Sequence, residues 1–341
     1  MEKARVNSVP DSSFRFATGE IQEAQQISSS SPGFLADSWR RLRKNRAAVA
    51  SLILLVIIFA MAFSAPLLAP WPPNQQNIPY ASLPPRIPGV SINGLNGCLN
   101  LNGKWIDRYA LAGVPDDVHF FFDTDEFGRD LFSRALYGTR ISLFIAVVAA
   151  VVDLTIGIAY GLFSAMKGGR TDTLMQRFIE ILSGIPNLVL VVLMLLIFEP
   201  GAFSIILALV ISAWTPMARM VRAQALKVKE LEYVQAARAL GCSSPRIALS
   251  HVLPNISGII VVRTMFSIPS AIFFETFLSF IGVGMKIPNA SLGTLLNNGF
   301  KVFRLYPYQV FIPAIILCVI MISFNLFADG LRDAFDPKMK E

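Results

Sequence analysis

The stretch WRRLRKNRAAVASLILLVIIFAMAFSAPLLAP, residues 39–70, sets Arg40, Arg41, Arg43, Lys44 and Arg46 directly before a long run without a charge. About 20 apolar residues wound as a helix cross the roughly 30 Å of hydrocarbon in a bilayer. A secretory signal peptide has the same order of basic and apolar parts. This run is too long for one and begins too deep in the chain, so an uncleaved membrane span is expected.

The rest of the chain repeats the pattern. Of its 341 residues, 54% are hydrophobic and only 16% charged, where soluble domains carry about a quarter. Further apolar runs lie near 141–166, 178–198, 202–218, 256–283 and 310–328. Backbone donors and acceptors cannot stay unpaired in lipid, so each run is expected to be a helix. The alternating pattern of a membrane barrel, in segments of about ten residues, is absent from the sequence. The expected fold class is an all-α integral membrane protein with six transmembrane helices.

Lys and Arg set the orientation. They gather before the first run, at Lys167, Arg170 and Arg177, and again at Arg219, Arg222, Lys227, Lys229, Arg238 and Arg246. These regions alternate with poorer ones, which puts them and both termini on the cytoplasmic side. The organisation expected is a disordered cytoplasmic tail (1–38), a basic segment with the first span (39–70) and a large external loop (71–140). A core of spans (141–330) with a cytoplasmic loop at 219–255 follows, then a C-terminal cytoplasmic tail (331–341). The same bias accounts for the net charge of +7 without a nucleic-acid partner. Cys98, Cys242 and Cys318 are far apart and His119 and His251 are the only histidines. No disulfide framework, metal site or histidine-based catalytic set is indicated.

Within the loop at 219–255 lies EYVQAARALGCSSPRIALSHVLPN (232–255). Tyr233, Ala236, Ala237 and Leu240 fall at i, i+3, i+4 and i+7, with Glu232, Gln235 and Arg238 opposite, which is a helical pattern. Gly241 suits a turn in the left-handed region, Ser244 an N-cap and Pro245 the first helical position. Pro254 is expected to end that second helix just before the membrane run. One reading is an amphipathic connector on the lipid headgroups. The other is a docking helix, since two alanines on a narrow apolar stripe allow close approach to another protein.

The segments QAARALG (235–241) and HVLP (251–254) resemble the EAA loop of ABC-transporter membrane subunits, with Gln235 where a Glu is usual. FFDTDEFGRDLFSRALYGTRISL (121–143) and FADGLRDAFDP (327–337) are similar to signatures of the dipeptide/oligopeptide/nickel permeases, with Asp123 where a glycine is usual. With NRAAVAS (45–51), the resemblance covers nearly the whole chain from residue 39. It implies the type I ABC importer permease fold and a place in the bacterial cell membrane. It further implies a second homologous permease subunit, two cytoplasmic ATPase subunits and an external substrate-binding protein as partners. Glu232, Tyr233, Gln235, Ala236, Ala237, Gly241, Leu253 and Pro254 then belong to the ATPase-coupling segment. The sequence holds no GxxxxGK[ST] phosphate loop. ATP is therefore expected on the partner subunits, and this chain is expected to be a transport subunit without cofactor or enzymatic activity.

Two acids lie inside spans. Asp153 falls about twelve residues into the second, roughly 18 Å along a helix rising 1.5 Å per residue. A charge there is costly, so it faces either the bundle or a water-filled path. Arg263 sits where it can snorkel to the inner surface. Glu275 lies beyond a kink expected at Pro269, toward the outer half. For both acids two roles stay open, a part of the substrate path or a hydrogen bond between helices. The external loop is either a docking surface for a binding protein or an insertion packed on the permease partner. Nickel or another small solute is the alternative cargo. A membrane-embedded enzyme and an ion channel are more distant alternatives, lacking a paired catalytic set or a filter-like loop.

Overall fold

The computed structural model describes residues 34–101, 103–286 and 288–335. Residues 1–33 of the expected N-terminal tail and 336–341 of the C-terminal one lie outside the described residues. The last residues of the expected tail, 34–38, are helical rather than disordered and form one helix with the basic residues, α1 (Phe34–Lys44), which is followed by α2 (Arg46–Phe63). Asn45 separates them and caps α2, its side chain accepting from the Ala48 amide at 3.2 Å. A side-chain cap of this kind satisfies one of the orphan amides of the first turn. The short α3 (Ala65–Leu68) leads out of the first span.

The segment expected outside the membrane is a small folded unit with its own core. A hairpin of β1 (Cys98–Leu101) and β2 (Lys104–Asp107) pairs antiparallel, Cys98 facing Asp107. The next helix, α4 (Arg108–Ala112), is capped by Asp107. Leu83, Tyr109, Val114 and Phe120 are buried together, with Trp71 and Tyr80 packed against them. The Tyr109 hydroxyl donates to the Pro84 carbonyl at 3.0 Å, so its polar end is satisfied inside that core. Burial is the main cause that raises the Tyr109 phenol above its ordinary range.

Asp130 caps α5 (Leu131–Lys167), accepting from the Ser133 amide at 2.8 Å. At 37 residues and 1.5 Å per residue, α5 is about 55 Å long. It therefore begins some ten residues before the expected span. Arg134, fully buried on its first turns, donates to the carbonyls of Pro73 at 3.0 Å and Pro288 at 3.3 Å. Gln309 donates to the Thr124 carbonyl at 3.0 Å. These bonds tie the external unit to the spans.

The third expected span is not one straight helix. It is divided between α6 (Gly169–Gly184) and α7 (Asn187–Ile197), which bend by 79° at the break. Pro186 gives the cause, because the residue before a proline is pushed out of the helical region. Ile185 is accordingly extended, at φ −85° and ψ 121°. The connection from α5 is only a glycine corner, and Arg170 and Arg177 belong to α6 rather than to a loop.

Next come α8 (Ala202–Ser212) and α9 (Thr215–Lys229), which together form one candidate span. They are followed by α10 (Glu232–Ala239) and α11 (Ser244–Ile247). A π-helical turn, Ala248–Val252, joins α11 to α12 (Leu253–Phe280). Ser243, not Ser244, is the N-cap of α11 and makes no side-chain cap bond. Pro254 does not end the second helix either, because helix runs from Ser244 to Phe280. The π turn resolves the conflict: the Leu253 amide bonds the Ala248 carbonyl five residues back. That wider register accommodates a proline that has no amide to donate and would crowd a carbonyl four residues before it.

The capping box of Ser291 and Thr294 opens α13 (Leu292–Lys301), and α14 (Tyr308–Phe335) closes the described chain. Among the described residues, five helical stretches are long and apolar enough to span a membrane, or six if α6 and α7 count as one bent span. They touch through small residues. A Cβ on Gly161 of α5 would lie 2.5 Å from the Ala218 carbonyl oxygen of α9, and one on Gly330 of α14 would lie 2.3 Å from the Ala48 Cβ of α2. Such close approach is how helices associate where lipid supplies no hydrophobic drive.

Candidate functional site

The face that carries the basic residues is built around α10. Glu232 opens its first turn and Arg238 its last, each on the end where the helix dipole favours its charge. The helix stops in a left-handed glycine. Gly241 has φ +83°, its amide bonds the Arg238 carbonyl, and the Cys242 amide bonds that of Ala237. This is the Schellman arrangement, which satisfies carbonyls of the last turn. The expected corner is therefore present, and its conformation explains the choice of glycine.

Only one α10 side chain is fully covered, and sequence reasoning missed it. Val234 is 0% exposed and packs in a cluster with Val221, Ala225, Ile247 and Val252. Tyr233, Leu240, Glu232, Gln235 and Ala236 are exposed, and Ala237 is half-buried. The stripe that the periodicity marks as apolar thus points away from the chain, while Val234 holds the helix to it. Leu253 is half-buried and Pro254 exposed at the start of α12. The Tyr233 ring lies 6.4 Å from that of His251. All the expected coupling residues therefore belong to one arm made of α10, the glycine corner, α11, the π turn and the first residues of α12.

The helix that leads into the arm, α9, is tied to α5 and α6 by polar links that sequence reasoning also missed. Lys229, at the end of α9, donates to the Ala165 carbonyl at 2.9 Å near the end of α5. Arg222 of α9 binds Asp172 of α6 with two bonds. Ser164 donates to the same carboxylate, and Gln176 donates to Ser164 at 3.1 Å. A lone acid among Lys167, Arg170 and Arg177 was the available signal. Counting those cations for orientation passed over it.

Asp153 and Glu275 are not part of this arm, and each has its own surroundings. Glu275 is fully buried and accepts from Ser142 of α5 at 2.7 Å and Ser279 of α12 at 2.8 Å. It therefore joins two spans. Asp153 is 2% exposed, and among the described residues neither carboxylate oxygen has a hydrogen-bond partner. Arg263 and Ser267 of α12 are the polar groups that bear on it, but the Ser267 hydroxyl is engaged with the Thr264 carbonyl at 2.9 Å.

A bundle of helices long and apolar enough to span a membrane, with the exposed α10 beside it, is the architecture of a membrane transport subunit. Residues 157–341 match the family described as binding-protein-dependent transport system inner membrane component, and residues 33–85 match the N-terminal transmembrane domain of oligopeptide transport permease C. The chain belongs to this family of inner-membrane transport permeases. It is 42% identical to the dipeptide transport system permease protein DppC of Lactococcus lactis over 93% of this chain and 94% of that one. It is 37% identical to the oligopeptide transport system permease protein OppC of Bacillus subtilis, over 98% of this chain and all of that one. A chain of the MetNI methionine ABC transporter, in an inward-facing conformation, matches in fold with a TM-score of 0.51 at 18% identity. That match covers 60% of this chain and 98% of the other. The type I importer permease fold is thereby established, and the chain is a multi-pass inner-membrane component of a transport system.

Proposed function

We propose that the chain forms half of the translocation path of an ATP-driven importer of dipeptides or oligopeptides. A second homologous permease subunit supplies the other half, two ATPase subunits bind ATP at the cytoplasmic face, and an external binding protein delivers the cargo. Both termini face the cytoplasm, as the alternation of basic segments supports. The peptide cargo is supported by the names of the relatives.

The observation that carries the coupling role is the arm itself. Exposed Tyr233, Ala236 and Leu240 offer a contact surface, while Val234 and the Gly241 corner fix that surface to a helix running from Ser244 to Phe280. A displacement of α10 by a closing ATPase is transmitted along that helix to the level of Glu275. The test combines cross-linking with uptake in proteoliposomes holding all subunits. Ala236→Cys is expected to cross-link to a cysteine on the ATPase surface, and labelled di- and oligopeptides to accumulate with ATP. Uptake of nickel but not peptide overturns the cargo. Labelling of Arg238→Cys from outside intact cells overturns the orientation.

A further inference from the structure

We infer that the groove between the basic end of α5 and the α11–π-turn segment binds an anionic phospholipid of the leaflet on that side. The groove has a volume of ≈ 390 Å³. Leu162, Phe163 and Met166 line one wall, and Pro245, Ala248 and Leu249 the other. Phe163 is 50% and Leu249 62% exposed, so neither wall covers the other. None of the residues lining the groove is acidic.

The rim is cationic. Lys167, the last residue of α5, also lines the groove, its Nζ 6.0 Å from the centre of the Phe163 ring. Arg246 is exposed on α11 beside Pro245. Carbon walls with Lys167 among their lining, and the exposed Arg246 one residue beyond Pro245, match an acyl chain ending in a negative headgroup. Lys and Arg at the end of a span sit at headgroup level and attract anionic lipid there. A free phosphate ion would contact the rim alone and leave Phe163 and Leu249 in water. The chemistry therefore selects the lipid over the ion.

The site lies outside α10 and does not depend on the coupling reading. One of its walls is nevertheless the segment that links α10 to α12, so an occupying lipid lies against the moving arm.

The test is native mass spectrometry of the full-length transporter, released from detergent after equilibration with equimolar phosphatidylglycerol and phosphatidylcholine. The wild type is expected to retain phosphatidylglycerol preferentially. Lys167→Gln with Arg246→Gln is expected to cut that retention about tenfold or more, as loss of two headgroup-level cations implies. Ala159→Trp, which fills the groove from an exposed lining position without changing charge, is expected to cut it too. Unchanged melting temperatures show that both variants are folded. Equal retention of the two lipids overturns the proposal, as does retention unaffected in both variants. Displacement of the lipid by inorganic phosphate at millimolar concentration shows an ion site and overturns it. Retention by the separated chain but not by the full transporter shows that another subunit covers the groove, and overturns it as well.

Discussion

Arg222 on α9 grips Asp172 on α6 through a fork of two bonds, Nε to Oδ1 at 2.6 Å and Nη2 to Oδ2 at 2.5 Å. The pair is 28% and 14% exposed, between the surface pairs that contribute little and the buried ones whose breakage is costly. Its coupling energy is expected at about 1–3 kcal/mol. A double-mutant cycle of Asp172→Asn and Arg222→Gln, read by thermal unfolding in detergent, measures it. Arg222→Lys keeps the charge but loses the fork, and is expected to recover less than half of the stability. Additive single mutants argue against the brace.

Gly241 gives the second prediction. A Cβ at this position meets nothing within 4 Å, so crowding plays no part and only the backbone matters. A side chain at φ +83° is strained by about 1–3 kcal/mol. Gly241→Val is expected to reach the membrane in normal amount while peptide uptake and stimulated ATP hydrolysis fall. Gly241→Asn is expected to be milder, because Asn tolerates the left-handed region best. Full hydrolysis and uptake in Gly241→Val count against the corner as part of the coupling arm.

The glycine corner was legible in the sequence because its signals are local: a helical period, then a residue that alone takes positive φ without strain. The spans were legible for the same reason, since apolar length is a property of one segment. What escaped needed two segments or a competition within one. Val234 looks like any apolar residue on a short helix, and only the position of Val221 and Val252 makes it the anchor. Asp172 lies on the first of a bent pair of helices that a hydropathy window reads as one span, and Arg222 lies 50 residues further on. Pro186 announced that bend, and its apolar neighbours hid it. Pro254 was read as a stop because a π turn that absorbs a proline leaves no mark in composition. The Ser142–Glu275 bond was foreseen only as one of two roles for a lone acid.

The external unit is expected to be more stable in mild acid. Asp123 is fully buried, and among the described residues neither carboxylate oxygen has a hydrogen-bond partner; the nearby Gln309 amide, which opposes the shift, donates to the Thr124 carbonyl instead. Burial, with the neighbouring Asp125 and Asp130 adding to it, raises its carboxyl well above the usual range. Burial also raises Asp130, against the bonds from Ser133. A carboxyl raised on folding binds its proton more tightly in the folded state. Its stabilisation is fully present below the unfolded value of about 3.9 and is lost as pH rises through the folded one. Amide protection factors across 71–130, corrected for the intrinsic rise of exchange with pH, are expected to fall as pH rises above the ordinary carboxylate range. Asp123→Asn is expected to flatten that dependence. A slope unchanged in the variant, or one of opposite sign, refutes the assignment.

Ser142→Ala removes one of the two hydroxyls that Glu275 accepts from. With Glu275 sealed from solvent, the loss is expected to cost about 1–3 kcal/mol and to lower the melting temperature of the purified subunit. Ser279→Ala, which removes the bond within α12, is expected to loosen α5 from α12 less. Cysteine pairs placed across these two helices report which substitution separates them.

Asp153 gives the last prediction, and it runs the other way from Glu275. A buried polar group without a partner costs about 1–3 kcal/mol, and replacing it by an apolar group of similar shape is neutral or stabilising. Asp153→Leu therefore has no hydrogen bond to lose in this conformation, and its yield and melting temperature are expected to match or exceed the wild type. A carboxyl kept at that cost is expected to gain a partner in another state of the transport cycle. Arg263 and Ser267 lie on α12, the span joined directly to the coupling arm, and a shift of α12 is the motion that can bring them to it. Uptake is accordingly expected to fall in both Asp153→Leu and Asp153→Asn, with assembly intact. Arg263→Gln is expected to reproduce the loss, and its combination with Asp153→Asn to add little further, because both changes remove the same contact. A lower yield of folded complex in Asp153→Leu, with normal uptake per folded complex, defeats this account and assigns the residue to assembly instead.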